Sequence, residues 1–141
     1  MVDKSLVSDM KDMINAGAAT ADADAMLKSF ELIKQISEEV DFLKADVEES
    51  DYTCQMVLSD VKQEYWIKIS KGEVDYGKGK FENPSFTITS SKDVGLGLFF
   101  GKVDANIVAP LGKIGVSGTQ TNLRLFQELY EDVIDEFHKK Y

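Results

Sequence analysis

Phe100-Gly101-Lys102-Val103-Asp104 and Gly112-Lys113-Ile114-Gly115-Val116-Ser117-Gly118 are two glycine-lysine segments whose leading glycines stand eleven residues apart. The first closes a helix. Ser90 and Ser91 can cap its start, Asp93 lies in its first turn, and Leu96, Phe99 and Phe100 follow before Gly101, which suits a helix C-terminus. The second is a strand, with Ile114 and Val116 alternating against Lys113, Gly115 and Ser117. Beyond it Leu123, Phe126, Tyr130, Val133 and Phe137 recur at helical spacing and predict a long final helix. Gly95 and Gly97 each weaken the earlier helix by about 1 kcal/mol relative to alanine. It is therefore expected to be short and mobile.

Upstream, Tyr52, Cys54, Met56 and Leu58 alternate with Thr53, Gln55, Val57 and Ser59, the period of a strand. Tyr65, Ile67 and Ile69 share one face of the next strand, with Trp66 and Lys68 on the other, and Lys71-Gly72 turns the chain into a third strand over Glu73 to Tyr76. An antiparallel meander is expected. Phe86 and Ile88 mark a further short strand. From 25 to 45, Met26, Phe30, Ile33, Ile36, Val40 and Leu43 form the buried stripe of one amphipathic helix. Asp24 is placed to cap it, and Lys34 and Glu38 stand four apart on its wet face. Val2, Leu6, Met10, Met13 and Ile14 predict a short helix before an Ala/Gly/Thr/Asp linker. The expected organisation is a helical extension and linker over 1–24 and one domain over 25–141.

The 141 residues, 43% apolar and 29% charged, fit one folded domain, which at this mass exposes roughly 7,300 Å². The single cysteine, Cys54, cannot close an internal disulfide, and there is no Cys/His cluster for zinc. A reducing, cytoplasmic setting is expected. The apolar run from Val94 to Gly101 is far shorter than a membrane span, and Asp3, Asp9 and Asp12 interrupt any secretory signal. Net charge is −9, concentrated in the first fifty residues. Such a chain repels phosphate backbones and anionic lipid, which argues against nucleic acid and against a strong electrostatic membrane dock.

Motifs for chemistry fail on context. Gly72 to Gly79 has the start of a phosphate-binding loop but ends in glycine where a hydroxyl is needed, and it sits in a strand and turn. Gly95-x-Gly97 lies within a helix and lacks a third glycine. His138 is the only histidine and has no nucleophile beside it, while Cys54 alternates inward as a small hydrophobe. The acidic runs Glu48-Glu49 and Asp135-Glu136 read as solvated surface rather than a cation site. Asp93 and Glu82 are acids near the apolar zone in sequence, and a strongly raised pKa at either would favour an enzyme. No catalytic residue, metal site or cofactor is expected. What remains is an apolar concentration, Leu96 to Phe100 and then Ile107, Val108, Ala109 and Leu111, either packed core or the lining of an opening for a lipid tail.

Residues from about 25 to 140 resemble the sterol carrier protein 2 (SCP2) family of lipid-binding domains. The likeness lies in the paired glycine-lysine segments and their spacing, in Trp66-Ile67-Lys68-Ile69 followed by Gly72-Glu73-Val74, and in Pro84-Ser85-Phe86-Thr87-Ile88-Thr89. Ala105 stands where the family usually has proline, Pro110 and Leu111 where aromatic or polar residues are common, and the peroxisomal signal of some members is absent. The resemblance implies an α+β fold, a five-stranded, mostly antiparallel sheet with helices on one face and an apolar tunnel between, its mouth near the final helix. It implies a non-catalytic carrier of a sterol, fatty acyl or isoprenoid-type ligand, with transient membrane contact. Leu96, Phe99, Phe100, Ile107 and Val108, with Leu111, Phe126 and Tyr130, are the expected lining. Phe100→Asp is expected to abolish binding while the fold survives. The alternative is a dimerising or adaptor module with a closed cavity, in which Val2, Leu6 and Met10 pack on a second copy as a homodimer.

Overall fold

The period-two segments pair into one five-stranded sheet. The structure is a computed structural model and describes residues 2–141. β1 (Asp51–Leu58), β2 (Gln63–Ser70) and β3 (Glu73–Lys78) form the expected antiparallel meander, and Lys71 and Gly72, at φ 54° and 81°, make its tight second turn. β4 (Phe86–Ser90) then lies parallel to β1, and β5 (Ile114–Gly118) antiparallel to β4, giving the order β3-β2-β1-β4-β5. Register sets Cys54 beside Ile67 and Phe86, and Met56 beside Tyr65 and Ile88. All six are buried.

Helices cover that face: α1 (Lys4–Ala16) packs outside on α2 (Ala25–Glu39), while α2, α3 (Asp41–Glu49), α4 (Lys92–Phe100) and α6 (Gln120–Lys140) lie on the sheet, and α5 (Ala105–Val108) is a short turn between α4 and β5. α4 is buried from Gly95 to Phe100, as a helix apolar all round must be. Ser91 Oγ accepts from the Val94 amide and Gly101, at φ 74°, ends the helix as its sequence indicates. Its internal glycines serve close packing. A Cβ on Gly95 would lie 2.6 Å from Leu58 Cδ2 and 2.8 Å from Ser90 Oγ, and one on Gly97 would lie 2.5 Å from Val103 Cγ2. The fold exposes 7406 Å², close to the area expected for its mass.

The opposite face of β1 is buried too, because the chain from β3 must pass it to reach β4. Gln55 Nε2 donates to the carbonyls of Tyr65 (3.2 Å) and Gly79 (3.0 Å), and its Oε1 accepts from the Phe81 amide (2.7 Å). Phe81 packs on Trp66 with ring centroids 5.1 Å apart. Gln55, a residue that alternation alone would turn to solvent, is 3% exposed and pins this crossing.

Several expectations need correction. The helix expected over 25–45 is two helices, because Val40 takes an extended conformation (φ −101°, ψ 117°) after Ser37 Oγ has bonded back to the Ile33 carbonyl. Asp24 makes no side-chain cap: its carboxylate accepts from Tyr65 Oη (2.6 Å) and pairs with Lys78 Nζ (2.9 Å). Those contacts, the lysine first, hold it below the usual carboxylate range. Lys34 and Glu38 form no ion pair among the described residues. Val2, Leu6 and Met10 are buried within this chain, where α1 docks on α2, with Lys28 Nζ 2.8 Å from Asp9 Oδ2 and the Asp3 amide bonded to Gln35. They leave no free apolar face for a second subunit.

Candidate functional site

At β5 the helical cover stops short. Its register with β4, Ile88 opposite Val116 and Ser90 opposite Ile114, turns Ile114 and Val116 toward the core side, yet Ile114 is only half-buried and Val116 is 36% exposed. A cavity of about 330 Å³ occupies the gap. Ile88, Ile114 and Val116 form its floor, Leu98 of α4 its inner end, Leu123, Gln127 and Tyr130 of α6 one wall, and Ala105, Ala109 and Pro110 its roof. Its apolar walls favour a hydrocarbon guest over water.

Polar groups gather where this cavity meets a second one. Gln127 Nε2 donates to Glu131 Oε2 (3.1 Å) and to Asn106 Oδ1 (3.5 Å) at the rim. Leu98, Asn106 and Tyr130 also line a more polar cavity of about 390 Å³ that adds Lys102, Asp104, Glu131, Asp135 and His138. Tyr130 therefore stands between an apolar and a charged space. Burial pushes its hydroxyl above the usual tyrosine range, so it is a protonated donor at neutral pH. An amphiphile is matched by such a layout, tail on one side and head on the other.

The expected lining residues separate into three groups. Leu96, Phe99, Phe100 and Phe126 are packed in the core, where Phe99 and Phe126 rings lie 5.9 Å apart and Phe86 and Phe126 also 5.9 Å. Ile107 and Leu111 turn outward, 62% and 65% exposed, with Val108 half-buried beside them. Tyr130, 4.9 Å from the Phe99 ring, lines the cavity. Because Phe100 is fully buried and outside the wall, Phe100→Asp places a charge in packed core and destabilises the fold itself. Leu98, Ile114, Val116 and Leu123 are the large aliphatic side chains that line the cavity instead, with Ile88. The signal for Ile114, Val116 and Leu123 was present in the alternation of the last strand and the first turn of the last helix, and Leu98 belongs to the apolar run of α4.

Among the described residues no group of three or more His, Cys, Asp or Glu could hold a metal, and Asp93 and Glu82 lie outside the cavity wall. Cys54 is fully buried, and burial pushes its thiol well above the usual range. No helix of the described residues is long and apolar enough to cross a membrane.

No family model and no curated protein sequence matches the chain. Solved structures do. Sterol carrier protein 2 from Yarrowia lipolytica (apo form) superposes with a TM-score of 0.61 at 15% identity, over 82% of this chain and 97% of that one. The chain has the SCP2 fold. Palmitated SCP2L2 from Aedes aegypti matches it at TM-score 0.52 and 20% identity, over 74% of this chain and 90% of that one. The sec-alkylsulfatase Pisa1 from Pseudomonas sp. matches at TM-score 0.55 and 20% identity, over 61% of this chain. The chain spans only 14% of that sulfatase's length. Within the SCP2 fold, the first glycine-lysine segment ends α4 and the second opens β5, so the residues between them roof the cavity.

Proposed function

We propose that the protein is a lipid carrier that holds the hydrocarbon part of a sterol, fatty acyl or isoprenoid-type ligand between β5 and α6 and performs no bond chemistry on it. The observation that carries this reading is the apolar cavity of about 330 Å³ with Asn106, Gln127 and Tyr130 at its polar end. Each methylene withdrawn from water contributes about 0.8 kcal/mol, so a lined cavity suffices for holding and the polar end orients the head. The palmitated state of the Aedes aegypti neighbour supports the fatty acyl class. The sulfatase likeness covers a small part of that enzyme, and its chemistry stays with it. Residues 25–141 are the carrier domain in this reading and residues 1–24 its extension. The free thiol of Cys54 accords with a reducing, cytoplasmic setting.

Titration with a fluorescent fatty acyl probe tests it. Saturable binding at one site per chain is expected. Leu123→Trp, which fills the cavity from its half-buried wall, should weaken that binding at least tenfold with the thermal midpoint little changed. Absence of saturable binding across sterol, acyl and isoprenoid probes overturns the reading.

A further inference from the structure

Ile107 and Leu111 are the most exposed large apolar side chains among the described residues, at 62% and 65%, and they lie on the outer side of the segment whose inner side roofs the cavity. Ala105, half-buried, and Ala109 and Pro110, themselves exposed, line the cavity from the same turn. Apolar groups on both sides of a surface turn leave one side facing water at a cost, unless something apolar meets it. Charge says what. Residues 105–127 contain Lys113 and Arg124 and no aspartate or glutamate, in a chain with 25 acids and a net charge of −9. Both cations are exposed, and neither forms an ion pair among the described residues. Bounded by Asp104 and Glu128, this is the stretch that joins exposed apolar side chains to unpaired cations, and so it can approach an anionic surface that repels the acidic chain as a whole.

We propose that the turn over residues 105–111 is a membrane-docking element, in which Ile107 and Leu111 enter the surface of a bilayer bearing anionic headgroups while Lys113 and Arg124 hold it there. The roof of the cavity then lies against lipid. A guest passing directly between bilayer and cavity avoids water, and each methylene spared that exposure speeds passage about fourfold. The proposal rests on the lipid-carrier reading and adds the surface through which loading takes place. It also limits the conclusion drawn from net charge: the chain as a whole is repelled by anionic lipid, but this face is not.

Flotation of the full chain with phosphatidylcholine vesicles, with and without phosphatidylglycerol, tests it. The protein is expected to float with the anionic vesicles, about 25-fold more tightly than with phosphatidylcholine alone at about fivefold per cation, and to be released by salt. Ile107→Ser with Leu111→Ser should lose at least tenfold in vesicle affinity. Both side chains are already in water, so the thermal midpoint and acyl-probe binding in solution should stay as in the parent chain. Lys113→Glu with Arg124→Glu should remove the preference for phosphatidylglycerol. Failure of the parent chain to float, or equal flotation of the double-serine variant, overturns the docking proposal even where the probe still binds. Flotation without probe binding overturns the carrier reading and leaves docking standing.

Discussion

Gly95 lies where α4 crosses the central strand, and two physical effects disagree about replacing it. Helix propensity alone predicts that alanine stabilises by about 1 kcal/mol. A Cβ there would meet Leu58, Ser90 and Met56 at 2.6 to 3.0 Å, and such overpacking costs more than propensity returns. Gly95→Ala should therefore destabilise by about 1–2 kcal/mol, read as a lower urea midpoint with the slope unchanged. At this scale the sequence was legible where a residue's partner is a neighbour: Ser91 caps and Gly101 terminates as read. It was not legible where the partner is distant. Asp24 looks like a cap, but Tyr65 and Lys78, more than forty residues on, take its carboxylate. Gln55 looks solvent-facing, but the crossing chain at Gly79 and Phe81 takes its amide.

Among the elements, strands were read with nearly correct bounds because period-two alternation is a local signal. The break at Val40 escaped because the apolar stripe continues through it, and only a back-bonded Ser37 and an extended Val40 divide the helix. α6 carries a testable electrostatic feature. Asp132 on that helix has its carboxyl raised, first by burial and then by the nearby Asp135, Asp46, Glu128 and Glu131. A carboxyl whose pKa is higher folded than unfolded binds its proton more tightly in the native state, so its contribution is favourable below the unfolded value near 4 and is lost as pH rises through the folded one. Asp132→Asn should accordingly be more stable than the parent chain at pH 7, with the gain shrinking to nothing at about pH 3. Thermal melts at the two pH values check this, and an equal difference at both would contradict it.

For the whole molecule, the decisive feature is a mismatch of extents: the sheet continues to β5, while α4 and α6 close over β1 and β4 and leave Ile114 and Val116 uncovered. Its general place, beside the last helix, followed from the SCP2 resemblance. Its lining did not, because Leu96, Phe99, Phe100 and Phe126 are as apolar as a tunnel wall would be, and composition cannot distinguish side chains that fill a space from side chains that surround one. α1 docks on its own chain and is spent there. The most direct test is native mass spectrometry of the chain after incubation with sterol, fatty acyl and isoprenoid lipids, alongside Leu123→Trp. The account predicts one lipid retained per chain and its loss in the variant. A chain that carries no lipid from any of the three classes, or a variant that keeps its lipid undiminished, would contradict it.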